Sequence, residues 1–132
     1  NTQEKTVSTV LKGLSFKTSD FSRKCSEFSG GWQMRISLAK LLLSDADFLL
    51  LDEPTNHLDS SSKLWLGKYL MSYQGTIIVV SHDTDLLKSM ALTEVAEVRN
   101  AALEVYKGCS YENFLEERVQ RNKRSAALYE AE

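Results

Sequence analysis

Apolar positions change their spacing several times along the chain, and each change marks an element. From about Gln3 to Lys12, Val7, Val10 and Leu11 recur at helical spacing, and Gly13 is placed to stop that helix. Residues 17–27, KTSDFSRKCSE, are polar and read as a loop. Past Gly31 a second helix is expected to about Leu43. Met34, Leu38, Leu41 and Leu42 form its stripe, and Trp32, Ile36 and Leu43 widen it, which predicts a largely buried helix. Phe48-Leu49-Leu50-Leu51 is then unbroken and soon closed by Pro54, the pattern of a parallel strand covered on both faces. Asp59 and the serines after it suit the N-cap of a third helix through about Tyr73, with Leu64, Trp65, Tyr69 and Leu70 turned inward. Gly75 ends that stretch, and TIIVV at 76–80 reads as a second buried strand. A short helix from Asp83 to about Met90 follows. TEVAEVRN and ALEVYKG alternate as a hairpin that turns near Asn100 and is polar on one face. From about Tyr111 the chain is a charged helix.

Strand, helix, strand, helix with apolar strands is an α/β signature, and chemistry in such folds gathers at the carboxyl ends of the strands. That places attention on Asp52-Glu53 and Ser81-His82. An acidic pair there is either a solvated strand end or a working pair. In the second case Asp52 would hold a phosphate-bound Mg²⁺, largely through water, and Glu53 would orient a water. His82 is either a surface residue or a hydrogen-bond partner for a γ-phosphate oxygen. His57, in the turn after the first strand, is expected to be structural or at the surface. Upstream, FSGGWQMR (28–35) sets Ser29, Gly30 and Gly31 before a helix, where free N–H groups and the helix dipole can receive a phosphate. The phosphate-holding loop GxxxxGK[ST] is absent from the chain.

Composition narrows this only a little. A chain of 132 residues with 42% hydrophobic and 26% charged residues suits one globular domain, or part of one. A net charge of −2 gives no overall attraction to nucleic acid, so any basic surface must be local. Cys25 and Cys109 show no metal-ligand or CxxC spacing and read as reduced thiols. No apolar run suits a membrane span and no secretory signal is seen, so no membrane partner is expected. Because the chain opens inside helical sequence, the first half of a larger domain is expected to precede it.

FSGGWQMR, LLLDEPTNHLD and VVSHD, in that order, resemble the signature motif, Walker B with D-loop, and switch histidine of ABC ATPases. SGGW-x-MR followed by LA-x-LL and EPTNHLD is similar to the ABC-F subfamily, over nearly the whole chain from LKGLSF to the final helix. The resemblance implies a partial P-loop NTPase domain of α/β class, with parallel strands, a piece of helical subdomain, a C-terminal β-hairpin and a charged terminal helix. It divides the chain into an ATPase portion at 1–109 (helical subdomain about 1–43, Walker B to switch histidine 44–90, hairpin 91–109) and the start of a helical linker at 110–132.

By the same resemblance Asp52 is the Walker B aspartate near Mg²⁺, Glu53 the catalytic glutamate, Asp59 the D-loop aspartate and His82 the switch histidine. Ser29, Gly30, Gly31 and Gln33 belong to the signature, which faces ATP held by a second ABC domain of the same chain. Members are cytoplasmic and act mostly on ribosomes and translation; the alternatives are a non-hydrolysing ribosome-associated scaffold or the ATPase subunit of a membrane transporter. Arg118, Arg121, Lys123 and Arg124 on the last helix would then offer phosphate contacts to ribosomal RNA or tRNA, unless they only solvate a charged helix. The sequence departs from the family at Phe28, where leucine is usual, at Thr84, where arginine is common, and in the longer turn YKGCSYENF. The family's phosphate and glutamine loops are expected upstream, so the segment alone is expected to be inactive.

Overall fold

The computed structural model describes residues 2–108 and 110–131, with side chains from residue 6 onward. The expectations for Asn1 and for the Cys109 thiol lie outside the described residues. The chain divides into two compact units, one through Ser89 and one from Met90.

In the first unit, α1 (Thr2–Gly13) leads through two short 3-10 turns, Thr18–Asp20 and Cys25–Glu27, to α2 (Gly30–Leu42). The polar stretch 17–27 is therefore not a featureless loop. Asp20 Oδ2 accepts from the Lys17 N–H at 2.9 Å and Arg23 pairs with Asp20 at 3.0 Å, which tightens the chain locally. Cys25 is an exposed free thiol. Then come β1 (Phe48–Asp52), α3 (Ser60–Ser72), β2 (Thr76–Val80) and α4 (Thr84–Ser89). β1 and β2 are parallel, in register from Phe48↔Thr76 to Asp52↔Val80, with α3 as the crossover. Asp59 caps α3 as expected, its carboxylate accepting from the Ser62 N–H at 2.9 Å. The core is built from Val10, Leu14 and Phe16, from Leu38 and Leu42 of α2, from Leu49 and Leu51 of β1, and from Leu66 and Leu70 of α3.

Three burial expectations are corrected. The strands are not covered on both faces: Leu49 and Leu51 are buried, but Phe48 and Leu50 are each 68% exposed and Ile78 and Val80 each 55%. Alternate residues of a strand point to opposite faces, and the helices of this unit fill only one of them. On α2, Met34 and Leu41 are exposed, and the buried line runs through Arg35, Leu38, Ala39 and Leu42. On α3, Leu64 is exposed and Leu66 is buried in its place. Both helices carry apolar residues on several sides, so the packing partner, not the sequence period, selects the inward line.

The second unit is an antiparallel hairpin, β3 (Glu94–Arg99) and β4 (Ala102–Lys107), packed with α5 (Tyr111–Glu130). Asn100 and Ala101 form its two-residue turn with φ of 50° and 60°, as a type I′ turn requires. Ser110 caps α5 through the Asn113 N–H. Tyr106 and Phe114 are the centre of this unit, edge to face with ring centroids 4.8 Å apart. The mixed polar face of the hairpin is the covered one: Arg118 of α5 meets Glu97 at 3.0 Å, Arg121 lies over the Tyr106 ring, and Arg99 bonds Asn122. Ala96, Val98, Leu103 and Val105 share the open face.

Candidate functional site

β1 and β2 end side by side, and the chain turns at once after each. The Glu53 N–H donates to the Val80 carbonyl at 2.7 Å, one step beyond the Asp52↔Val80 pair, and continues the ladder by one bond. Glu53 then takes a left-handed backbone conformation, φ 47°. Its carboxylate reaches the next strand end, where Oε2 accepts from the His82 N–H at 3.3 Å and Oε1 lies 2.5 Å from His82 Nδ1. The Glu53 side chain is 25% exposed, while the His82 ring is almost fully in solvent at 95%. Asp52 is exposed at the strand end. Among the described residues no three His, Cys, Asp or Glu side chains are grouped to hold a metal. A lone Asp52 nevertheless suits Mg²⁺, which keeps several waters and takes one or two carboxylates beside substrate phosphates.

Ser29 has extended backbone angles and starts α2 as its N-cap, leaving Gly30 and Gly31 in the first turn. A Cβ at Gly30 would meet nothing within 4 Å, so the backbone there is open to a close approach. A Cβ at Gly31 would meet the His57 ring at 3.6–3.7 Å, an ordinary contact distance. Gln33 is exposed and folds back, its Nε2 donating to the Phe28 carbonyl at 3.0 Å.

The loop from Pro54 to Asp59 joins these two regions. Thr55 is buried and hydrogen-bonded to the Asp83 carboxyl. Asp83 also pairs with Lys63 at 3.2 Å and accepts from the N–H groups of Asp85 and Leu86. Desolvation pushes the Asp83 carboxyl up, but hydrogen bonds from Leu86, Lys63 and Thr55 outweigh it and hold it below the usual carboxylate range. Asp59 is lowered to about 2 by hydrogen bonds from the side chain and N–H of Ser62 and from Ser15, with Arg35 nearby. The structure thus brings Glu53 to His82 and brings the glycine-led end of α2 to the 57–59 turn.

Sequence reasoning missed Arg35, Ser15, Thr55 and Asp83. The signal for Arg35 was its phase, since it shares the buried line of Leu38, Ala39 and Leu42. His57, expected to be structural or at the surface, is exposed, with its ring on the side of Gly31 where a Cβ would be.

Comparison with known proteins identifies the fold and the family. A protein-family model described as ABC transporter matches residues 1–56. Among solved structures, the dimeric bacterial ABC transporter cassette MJ0796 superposes with a TM-score of 0.64 at 22% identity, covering 81% of this chain and 47% of that one. The SMC head domain from Thermotoga maritima superposes at 0.56 and 18%, covering 80% and 46%. The fold is that of an ABC-type P-loop ATPase domain, α/β with parallel strands. Among curated relatives, the probable ATP-binding protein YheS of Escherichia coli (strain K12) is 42% identical over 126 residues, 96% of this chain and 20% of that protein. Human ATP-binding cassette sub-family F member 3 is 41% identical over 126 residues, 96% of this chain and 18% of the relative. The chain belongs to the ABC-F family of ABC ATPases, and it spans about a fifth of the length of these relatives.

Proposed function

We propose that the chain supplies the hydrolytic carboxylate and the signature surface of an ATP-hydrolysing ABC-F protein. The observation that carries this is the Glu53–His82 pair, 2.5 Å apart at the carboxyl edge of two parallel strands. In the complete protein, Glu53 would accept a proton from, or orient, the water that attacks the γ-phosphate in line. His82, almost wholly exposed, would donate from its ring to a γ-phosphate oxygen as negative charge develops. Asp52 would hold Mg²⁺ through water, and the ion when bound offsets charge on the phosphates. Ser29 and the N–H groups of Gly30 and Gly31 would receive the γ-phosphate of ATP held by a second ABC domain, with Gln33 beside them and Asp59 crossing between the two sites. Residues 1–109 would form the ATPase portion and 110–132 the start of a linker.

Glu53→Gln in the full-length protein tests the assignment. Steady-state hydrolysis should fall by roughly a hundredfold or more with ATP still bound. Hydrolysis near wild type would show that Glu53 is not the residue that handles the water.

The finer reading is a cytoplasmic protein that acts in translation, meeting ribosome or tRNA through α5. Supporting it are the ABC-F relationship and the basic residues Lys123 and Arg124, both exposed. Arg118 and Arg121 contribute less to such a surface, because Glu97, Glu117 and the Tyr106 ring already engage them. No helix among the described residues is long and apolar enough to cross a membrane. Co-sedimentation of the full-length protein with ribosomes at low salt, lost as salt rises, is the expected result. Recovery with membranes instead would favour a transporter subunit.

A further inference from the structure

The buried guanidinium of Arg35 has no counterpart in the chemistry assigned above, yet it sits where the signature helix meets the 57–59 turn. Its side chain is only 10% exposed, and a charge so placed is costly unless its donors are met. They are met by main chain from two different segments. Nε donates to the His57 carbonyl and Nη1 to the Leu14 carbonyl, both at 2.9 Å. The Asp59 carboxylate stands 4.0 Å away, and the guanidinium lies over the Trp32 ring, 4.3 Å from its centre. A lysine carries one point charge and cannot span two carbonyls in fixed directions.

Ser15 approaches the same turn from the other side. It follows α1 with φ 70°, a conformation that costs a non-glycine residue about 1 kcal/mol. In that conformation its Oγ donates to the Asp59 carboxylate at 3.0 and 3.2 Å and lies 2.7 Å from the buried Ser62 Oγ. Glycine would relieve the backbone but supply no hydroxyl.

We propose that Arg35 and Ser15 are positioning residues that lock the Ser29–Gly31 end of α2 and the His57–Asp59 turn into one body, so that both reach the nucleotide across the domain interface in a fixed relation. The functional half of this statement rests on the ATPase reading above. The mechanical half does not. Loss of the Arg35 bonds lets the two segments move separately, and loss of the Ser15 hydroxyl frees the turn from the end of α1. A misplaced donor at a phosphate costs rate more than it costs nucleotide affinity.

The test uses the full-length protein with Arg35→Lys and Ser15→Gly, well below the melting temperature of each. Amide hydrogen exchange should rise by about tenfold or more at Gln33, whose N–H bonds the Ser29 carbonyl, and at Leu58, whose N–H bonds the Thr55 carbonyl, together in Arg35→Lys, and at Leu58 in Ser15→Gly. The turnover number for ATP should fall by roughly tenfold in Arg35→Lys, with KM changed by less than about threefold. Ser15→Gly should lose turnover without losing melting temperature, a combination that a purely structural role does not produce. Unchanged exchange in both segments, or raised exchange with full turnover, overturns the proposal. A wild-type protein without hydrolysis, or a fully active Glu53→Gln, overturns the ATPase reading instead, and the exchange data still decide whether the two segments are one body.

Discussion

Gly13 was expected to end the first helix through its backbone freedom, but the structure gives it a different task. Gly13 is the last residue of α1, and the left-handed residue that reverses the chain is Ser15, two positions on. A Cβ at position 13 would lie 2.0 Å from Trp65 Cε2 and 2.1 Å from Cδ2, inside the indole ring. Reaching even a tight contact of 3.4 Å from that 2.0 Å requires a relative shift of 3.4 − 2.0 = 1.4 Å. The indole does not shift freely: it stacks on Tyr69 with centroids 5.0 Å apart, and the Tyr69 hydroxyl is itself bonded to the Leu42 carbonyl at 2.8 Å.

Gly13→Ala therefore sets two effects against each other. Alanine gains up to about 1 kcal/mol in a helix over glycine, and overpacking a fixed neighbour costs about 1–3 kcal/mol. With the full helix gain, the expected net effect is a destabilisation of up to about 2 kcal/mol. In a Trp65→Ala background the clash is gone and the helix term remains, so the same substitution should stabilise by up to about 1 kcal/mol. Urea unfolding of the four proteins, followed by circular dichroism at 222 nm, measures this reversal of sign as a coupling equal to the overpacking cost, about 1–3 kcal/mol. Equal effects of Gly13→Ala in both backgrounds, or a stabilised single variant, would refute the reasoning.

Ala101 occupies the second left-handed position of the hairpin turn, where glycine is unstrained, and it is exposed. Ala101→Gly should stabilise the second unit by about 1 kcal/mol, seen as slower amide exchange across β3 and β4; faster exchange would contradict the turn assignment. The Asp59 carboxyl is lowered from 3.8 to about 2, so its contribution to stability is present above pH 3.8 and is lost as pH falls through about 2. Asp59→Asn should flatten the acid limb of the stability profile between those values. Parallel profiles for the two proteins would show that the cap does not titrate as described.

The proximity of Glu53 to His82 could be read in the sequence, because two successive parallel strands end just before these residues and their ends must lie on one edge. The α3 cap was also legible, since Asp59 precedes a run of serines whose N–H groups need an acceptor. Burial was less legible. Leu64 and Leu66 have equal claims by composition, and only the packing of α3 against α1 and α4 decides for Leu66. The apolar character of β1 on both faces was read correctly as composition and wrongly as burial. Period and polarity state what a face would bury, not whether this chain covers it. Arg35 was missed for the opposite reason: its acceptors are main-chain carbonyls of Leu14 and His57, and carbonyls leave no residue signal.

The backbone outliers favour the same site without reference to any motif. Among the described residues, five non-glycine residues have positive φ: Ser15, Glu53, His57, Asn100 and Ala101. The last two are required by the hairpin turn. Ser15 closes α1 in a C-terminal turn, with Phe16 N–H on the Leu11 carbonyl and Ser15 N–H on the Lys12 carbonyl, and His57 is the third residue of the Thr55–Leu58 turn. At these positions, as at Glu53, a residue other than glycine costs about 1 kcal/mol. Each is held by bonds to other segments: Glu53 N–H to the Val80 carbonyl, the His57 carbonyl by Arg35, and the Ser15 hydroxyl by Asp59. Glycine at these positions would keep the chain path and lose the Glu53 carboxylate beside His82, the His57 ring, and the Ser15 hydroxyl on Asp59. At all three points a side chain stands where glycine would be unstrained, and at two of them, Glu53 and Ser15, that side chain bonds another segment of the chain.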